Sequence, residues 1–364
     1  MKRDYTKQKI AWEYFLERRN AFFYVCMATK VGNPMCYNLA SFKLTHQIYH
    51  YENGLVTFYV SEKEMRKVEE YLIELIKKKD PLLKKWEMKC KPYLEKEKQL
   101  YKKFEQNLGA KYIQKNYEDL MQEIHAIFLH LTYLSFIILT VIDNAVKKGQ
   151  DETAFQDAIE LFKPFRKRTS NTLHDTIFKK IWEAAATITK SNTPEDYAFF
   201  TPDELGNLFR GQEYPSQNEI EQRKKQCIFY DEGDGSINFN YDPNFLKNVG
   251  ITPEEIPKVD QLKGTVAFKG MAQGKICIVN KPHEMHKCQP DSILISMNTT
   301  PALMPALSKC KAIVTDDGGL TCHASIISRE LQKPCIVGTR FSTKIFKDGD
   351  LVLVDAEKGI IKKL

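Results

Sequence analysis

The periodicity of this chain changes near residue 262, and that change limits the folds open to it. From about residue 64 to 190, apolar residues recur at helical spacing among Lys and Glu. After 262 the pattern becomes a series of short β-branched runs: Thr265–Phe268, Lys275–Val279, Ile293–Ser296, Ala312–Thr315, Cys335–Val337 and Leu351–Val354. Two helical stretches, 300–309 and 322–332, interrupt them, and glycines at 264, 270, 274, 318, 319, 338, 349 and 359 stand at the ends of the runs. The spacing predicts a compact α/β domain of about a hundred residues, an ordinary domain size. The expected fold class is multidomain, α together with α/β. A mainly helical domain spans 1–255, with a small β-hairpin element near 21–60. A linker follows at 256–262, around Pro257–Asp260, and the α/β domain occupies 263–364. A chain of 364 residues is long enough for two or three domains.

Within the first part, residues 6–19 read as helix, with Ile10, Trp12, Tyr14 and Phe15 among charges, and Ala21–Met27 reads as β-prone. Residues 46–51 and 55–60, joined through Glu52-Asn53-Gly54, read as a hairpin, since Asn-Gly supplies the positive φ angles of a type I′ turn. Ser61-Glu-Lys-Glu64 is a capping box that starts the next helix. Lys77–Lys103 reads as a solvated helical hairpin with Trp86 and Tyr93 on a buried stripe, and 111–148 and 151–190 as further long helices. Thr193-Pro-Glu-Asp, Thr201-Pro-Asp-Glu and Thr252-Pro-Glu-Glu are helix starts with Thr as N-cap and acids in the first turn. Asp231–Asn240 reads as a polar loop.

Ala126–Ile142 is strongly apolar, but it is short for a membrane span and lacks aromatic and basic flanks. It is expected as the central buried helix of the α domain, so no membrane partner is expected. Nine cysteines, an odd number with no C-x-x-C, suggest reduced thiols in a cytoplasmic protein. The opening Met1–Tyr5 is charged and leads into no apolar signal core. The net charge is +7, but no Lys/Arg block marks a nucleic-acid arm. That balance suits phosphorylated ligands equally well.

The chemistry concentrates in residues 310–339, CKAIVTDDGGLTCHASIISRELQKPCIVGT. A buried strand ends in Asp316-Asp317-Gly318-Gly319, and the two glycines permit a tight turn and close approach of backbone to a ligand. A helix begins near Thr321 and places His323 in its first turn, where unpaired N–H groups and the positive dipole end favour a phosphate. Imidazole is a competent nucleophile that can be neutral near pH 7. The local pattern alone fits a capping or surface histidine better than a nucleophile, because a Gly-Gly turn before a helix is common.

The string G-G-L-T-C-H-A-S-I-I-S-R-E-L-x-x-P-x-I-V-G resembles the phosphohistidine signature of phosphoenolpyruvate synthases, pyruvate phosphate dikinases and rifampin phosphotransferases. Gly264–Val279 is similar to the opening hairpin of their swivelling domain, Ile293–Pro305 to the stretch before the signature, and Lys347–Asp355 to the closing strand. The resemblance thus runs over 263–364. It implies a swivelling β/β/α phosphohistidine domain in which His323 is phosphorylated, Thr321 supports it, and Gly318 and Gly319 hold the phosphate. Cys322 stands where dikinases usually carry Ser and synthases often carry Cys; Ser325 and Lys333 replace a common Ala and Gly. Tyr197–Phe209 and Glu219–Lys225 resemble the helical segment preceding the carrier in synthase-like proteins.

The family also implies an ATP-grasp phosphate donor and an acceptor site on a TIM barrel, and neither reads out of residues 1–262. The resemblance therefore implies a partner chain, a separate ATP-grasp nucleotide-binding protein holding ATP and Mg²⁺. It also implies a small-molecule acceptor such as pyruvate, and no cofactor on this chain. The alternative is a non-catalytic binding or regulatory protein that keeps the carrier domain. His283-x-x-His286-x-Cys288 resembles a surface loop more than a metal site, Arg18-Arg19 read as exposed charges, and His125 and His130 as core histidines.

Overall fold

A computed structural model describes residues 10–19, 46–52, 55–106, 108–166, 173–231, 237–252, 256–320 and 322–364. The β-prone segment Ala21–Met27, the Asn53-Gly54 turn and the acids following Thr252 lie outside them. By contacts the chain forms two compact units, residues 1–141 with 153–252, and residues 142–152 with 253–364.

In the first unit, β1 (Trp12–Arg19), β2 (Gln47–Glu52), β3 (Leu55–Ser61), β4 (Gln226–Asp231) and β5 (Ile237–Asn240) form an antiparallel sheet in the order β1-β3-β2-β4-β5. The expected hairpin is β2–β3, closed at Glu52↔Leu55. Its surroundings differ from expectation. Residues 12–19 are a strand rather than a helix, because they pair along β3 from Trp12↔Ser61 to Arg19↔Leu55, and such tertiary pairing outweighs local propensity. Part of the expected polar loop is strand β5, held by Asp231↔Ile237 and Ile228↔Asn240. Tyr49 stacks on Phe229 with centroids 5.1 Å apart and meets Phe58 edge-on at 4.8 Å, giving the sheet its aromatic core.

The helices are α1 (Glu62–Lys77), α2 (Pro81–Glu105), α3 (Ala110–Lys115), α4 (Tyr117–Ile127), α5 (Leu134–Lys147), α6 (Gln156–Arg166), α7 (Lys179–Thr189), α8 (Pro202–Phe209), α9 (Gln217–Lys225) and α10 (Phe245–Asn248). A π-helical turn, Phe128–Tyr133, joins α4 to α5. Tyr117–Val146 is the one helix among the described residues long and apolar enough to cross a membrane, and 65% of its apolar window is buried inside the protein. Ile127, Leu131, Ile138, Leu139 and Val141 are fully inaccessible, as interior residues of a bundle are. On α2, Trp86, Cys90, Leu100 and Phe104 make a buried stripe, while Tyr93 stacks on His130 at 3.8 Å.

The caps differ in how far they follow the sequence pattern. Ser61 Oγ accepts from the Glu64 amide, but the Glu64 carboxylate turns to the amide and Nδ1 of His46 (3.0 and 2.6 Å), so the box is half closed. Thr201 and Glu204 form the complete reciprocal box, 3.2 and 2.7 Å. Thr193 instead gives its hydroxyl to Asp196 Oδ2 at 2.9 Å, at the head of a short 3₁₀ turn. Glu204 also holds the buried Arg223 through both carboxylate oxygens, each at 2.7 Å. Arg223 reaches Glu219 at 2.6 Å and the Phe199 carbonyl at 2.9 Å, and lies 3.7 Å over the Phe239 ring. One guanidinium thereby ties α8, α9 and β5 together.

In the second unit eight strands form one sheet in the order β6-β13-β12-β8-β9-β10-β11-β7. Their ranges are β6 Gln261–Lys263, β7 Thr265–Phe268, β8 Met271–Ile278, β9 Ile293–Ser296, β10 Ala312–Thr315, β11 Cys335–Val337, β12 Leu351–Asp355 and β13 Ile360–Lys363. Strands β8 to β11 are parallel and central. On one face Leu294, Ile313 and Val337 pack with Leu303, Leu307, Ala324 and Ile327 from α11 (Met304–Lys309), α12 (His323–Leu331) and the turn before α11. On the other face Ile293, Ile295, Val314 and Ile336 pack with Val352, Val354 and Ile361 of the same sheet. Burial on both faces explains the uninterrupted apolar runs in sequence.

Residues 264–279 are not a hairpin. Strand β7 pairs with β11, while β8 pairs with β12 and β9. The edge strands β6 and β7 are separated in sequence by Gly264 alone, so the sheet curls until its edges adjoin. A β-carbon at Gly264 would meet Ile336 Cγ2 at 2.6 Å and the Val337 carbonyl at 2.7 Å, and only glycine allows that approach. Cys277 and Cys288 are joined by a disulfide with Cα atoms 5.4 Å apart. This differs from the expectation of thiols throughout: the return of the chain from β8 through the 282–287 turn brings two irregularly spaced cysteines together. Cys90, Cys227, Cys310, Cys322 and Cys335 are free.

Candidate functional site

The loops that leave the carboxyl ends of β9, β10 and β11 are stitched to one another by backbone bonds. Asp316 N donates to Ser296 O (3.0 Å), Asp317 N to Met297 O (2.8 Å), Thr339 N to Thr315 O (3.0 Å) and Arg340 N to Asp316 O (3.0 Å). Open parallel sheets place their ligands at this end of the strands.

The buried carboxylate of Asp316 anchors the assembly. It accepts from the amides and hydroxyls of Ser342 and Thr343 and from the Thr339 hydroxyl, the last at 3.0 Å. The end of β10 is therefore locked to the loop after β11, with every donor charge-assisted. Asp317 continues the turn, and its carbonyl accepts from Thr315 Oγ1 at 2.7 Å.

Gly318 has φ +118°, a conformation natural to glycine, and a β-carbon there would lie 2.8 Å from Cys322 Sγ. The Gly319 carbonyl accepts from the Cys322 amide (3.1 Å) and from Ser325 Oγ (2.7 Å), which folds the turn back on the start of α12. Arg329 donates to the Leu320 carbonyl at 2.6 Å from the next turns of the helix. Cys322, extended at φ −72° and ψ 165°, is the N-cap residue, and its sulfur lies 3.3 Å from Ser325 Oγ. Thr321 lies outside the described residues.

His323 is the first residue of α12 and is half-buried. Its Nδ1 is 2.9 Å from Thr299 Oγ1 in the loop after β9, and Thr299 is itself buried. When Nδ1 carries the ring proton and donates it to Thr299, the lone pair resides on Nε2, which makes Nε2 the more nucleophilic of the two ring nitrogens. The first-turn amides of α12 and its positive dipole end adjoin the ring. Elsewhere in the unit, burial pushes the Cys310 thiol up to about 11 and raises that of Cys335 further, so both are inert protonated packing groups.

The structure thus brings His323, Cys322, Gly318 and Gly319 into one turn. Three neighbours escaped the reading of the sequence: Thr299, Asp316 and Asp143. Thr299 and Asp316 stood inside segments already noticed, Ile293–Pro305 and the Asp-Asp-Gly-Gly turn. Asp143 carried no local signal; it comes from the distant end of α5, and its carboxylate lies where a β-carbon of Gly319 would be. Among the described residues no group of three or more His, Cys, Asp or Glu is disposed to hold a metal ion, the 283–288 turn included.

Comparison with known proteins falls on this same region. Residues 288–359 match the family described as PEP-utilising enzyme, mobile domain. The C-terminal region belongs to the PEP-utilising enzyme superfamily. Among curated relatives, a probable phosphoenolpyruvate synthase of Archaeoglobus fulgidus is 49% identical over 100 residues, 28% of this chain and 13% of that protein. The phosphoenolpyruvate synthase of Pyrococcus furiosus is 37% identical over 139 residues, 37% of this chain and 17% of that protein. The chain thus spans less than a fifth of the length of these two relatives. An Enzyme I solution structure is 14% identical over 83% of this chain and 78% of that one, at a TM-score of 0.19, and bears no weight here. The mobile domain accounts for β9 to β12, α11, α12 and the site they carry.

Proposed function

We propose that this chain is a carrier component of a phosphoenolpyruvate synthase-like phosphotransfer system, with His323 as the residue that bears the phosphoryl group. The position of His323 carries the reading. It starts a helix at the carboxyl ends of three parallel strands, beside a double-glycine turn, with Nδ1 engaged by Thr299 at 2.9 Å. The match of 288–359 to the mobile domain and the named phosphoenolpyruvate synthases support it.

In the first transfer Nε2 attacks the phosphorus of the donor. The N–P bond forms, the P–O bond to the leaving group breaks, and that oxygen keeps the electron pair. Nδ1 retains its proton, and Thr299 Oγ1 accepts its hydrogen bond while the ring carries positive charge. In the second transfer an acceptor oxygen attacks the phosphorus, the N–P bond breaks, and the imidazole recovers its pair. Two transfers through a covalent intermediate replace one difficult step. The donor is an ATP-grasp protein on another chain that holds ATP and Mg²⁺, and the acceptor is a small molecule such as pyruvate. ATP supplies the phosphoryl group; this chain orients the imidazole and holds its proton.

The test is incubation of the purified full chain with β- or γ-labelled ATP in extract of its host, wild type beside His323→Ala. Acid-labile, base-stable label on wild type alone is the expected result. An unlabelled wild type, folded and in an extract that phosphorylates a control carrier, overturns the reading and leaves a binding or regulatory role.

A further inference from the structure

Asp143 is a carboxylate 8% exposed, and it belongs to the same compact unit as the carrier turn, in the segment Ile142–Glu152. A buried carboxylate is costly unless its surroundings receive it. This one rests on Gly319: both of its oxygens and its carboxyl carbon occupy the space a β-carbon would take on that glycine. The Gly319 carbonyl, in turn, is bonded to the Cys322 amide and to Ser325 Oγ. The turn under Asp143 is thus fastened to Cys322, the N-cap of α12, and to Ser325 in its first turn, the two residues that flank His323 and Ala324.

A glycine turn and a helix start that suit a phosphate suit a carboxylate by the same electrostatics. A phosphoryl group on His323 would bring roughly two further negative charges to that place. Like charges in a partly buried site repel strongly. We propose that Asp143 is an electrostatic latch: its carboxylate covers the glycine turn while His323 is unmodified and is expelled when the ring is phosphorylated. The carrier would then signal its own loading through release of the 142–152 segment. This inference builds on the carrier reading of His323 for its biological meaning, but its test does not depend on the donor.

Phosphoramidate transfers a phosphoryl group to accessible imidazoles without an enzyme. The purified full chain, as wild type, Asp143→Asn and His323→Ala, is treated with it, and site occupancy is followed by mass spectrometry. His283 and His286, exposed on the 282–287 turn, serve as internal references. The expected result is several-fold faster phosphorylation of His323 in Asp143→Asn with the reference sites unchanged. In the wild type, hydrogen exchange of 142–152 should quicken once His323 is modified. Equal or slower reaction of His323 in the variant, no reaction in either protein, or unchanged protection of 142–152 after modification each overturns the latch. If the variant reacts faster while labelled ATP in host extract marks nothing, the latch stands and the carrier reading falls.

Discussion

Replacing Thr299 by Val removes one hydrogen bond at nearly constant volume and tests how the imidazole is held. Thr299 is buried and its hydroxyl lies 2.9 Å from His323 Nδ1. A hydrogen bond to a charged partner contributes about 1.5–3 kcal/mol, against about 1 kcal/mol for a neutral pair. Phosphorylation of Nε2 with Nδ1 still protonated puts positive charge on a ring that is neutral in its nucleophilic form, so the bond strengthens on loading. The bond is present in both states, so only its gain on loading, about 0.5–2 kcal/mol, acts on the equilibrium; His323 is partly exposed and water replaces part of the loss, which favours the lower half of that range, about 1 kcal/mol. Since 1.36 kcal/mol is a factor of ten, Thr299→Val should lower the equilibrium ratio of phosphorylated to unmodified chain about fivefold. Thr299→Ser keeps the hydroxyl and should stay within about threefold of wild type. The assay is label per chain from ATP in host extract at completion, alongside ¹⁵N NMR of the His323 ring. The spectrum should show Nδ1 protonation giving way to a mixed tautomer population in Thr299→Val. Wild-type labelling in Thr299→Val, with the ring spectrum unmoved, would refute the role given to Thr299.

Arg223 is 1% exposed with two carboxylates against it, and Glu204 and Glu219 are 20% and 38% exposed in the same cluster. Breaking a buried pair costs about 3–5 kcal/mol; with that exposure, Arg223→Met should cost about 2–3 kcal/mol in urea unfolding, and a loss below about 1 kcal/mol would contradict the ion cluster's role. His130 has its pKa lowered from 6.5, chiefly by burial, with Lys96 and Lys89 adding and the Ala126 carbonyl opposing. The unfolded chain therefore takes up that proton at higher pH than the folded one, and stability falls as pH drops below 6.5 toward the folded value. His130→Phe, which keeps the ring stacked on Tyr93, should flatten the decline in urea midpoint between about pH 7.5 and 5.5; an unchanged slope would exclude His130 as its source.

Much of the C-terminal domain was legible in sequence because its signals are local. Ala312–Thr315 and Ile293–Ser296 are apolar throughout since both faces are buried, and α12 begins after a double glycine as such a helix should. What escaped was set by distant partners. Strands β4 and β5 join a hairpin from near residue 50, and β1 is a strand only because β3 is beside it. Strands β7 and β8 look like a hairpin in one dimension, yet they serve opposite regions of the sheet. The same holds at the site. His323 and its glycines lie in one continuous string, whereas Thr299 arrives from the loop of a neighbouring strand and Asp143 from another part of the chain.

Gly264 joins the two edges of the eight-stranded sheet, and this has a mechanical result. Strand β6 is paired to β13 from Lys263↔Ile360 to Gln261↔Lys362, and Lys363 N donates to the Asp260 carbonyl at 2.8 Å. One residue on, Gly264 N is fastened to the Gly359 carbonyl at 2.9 Å, and β7 is then paired to β11 on the far edge. A tether pulling at residue 260 is anchored to both margins of the sheet within a few residues. Its load is shared between two ladders instead of peeling one strand from an open side. A pull at residue 260 therefore meets two hydrogen-bonded ladders before the sheet can open.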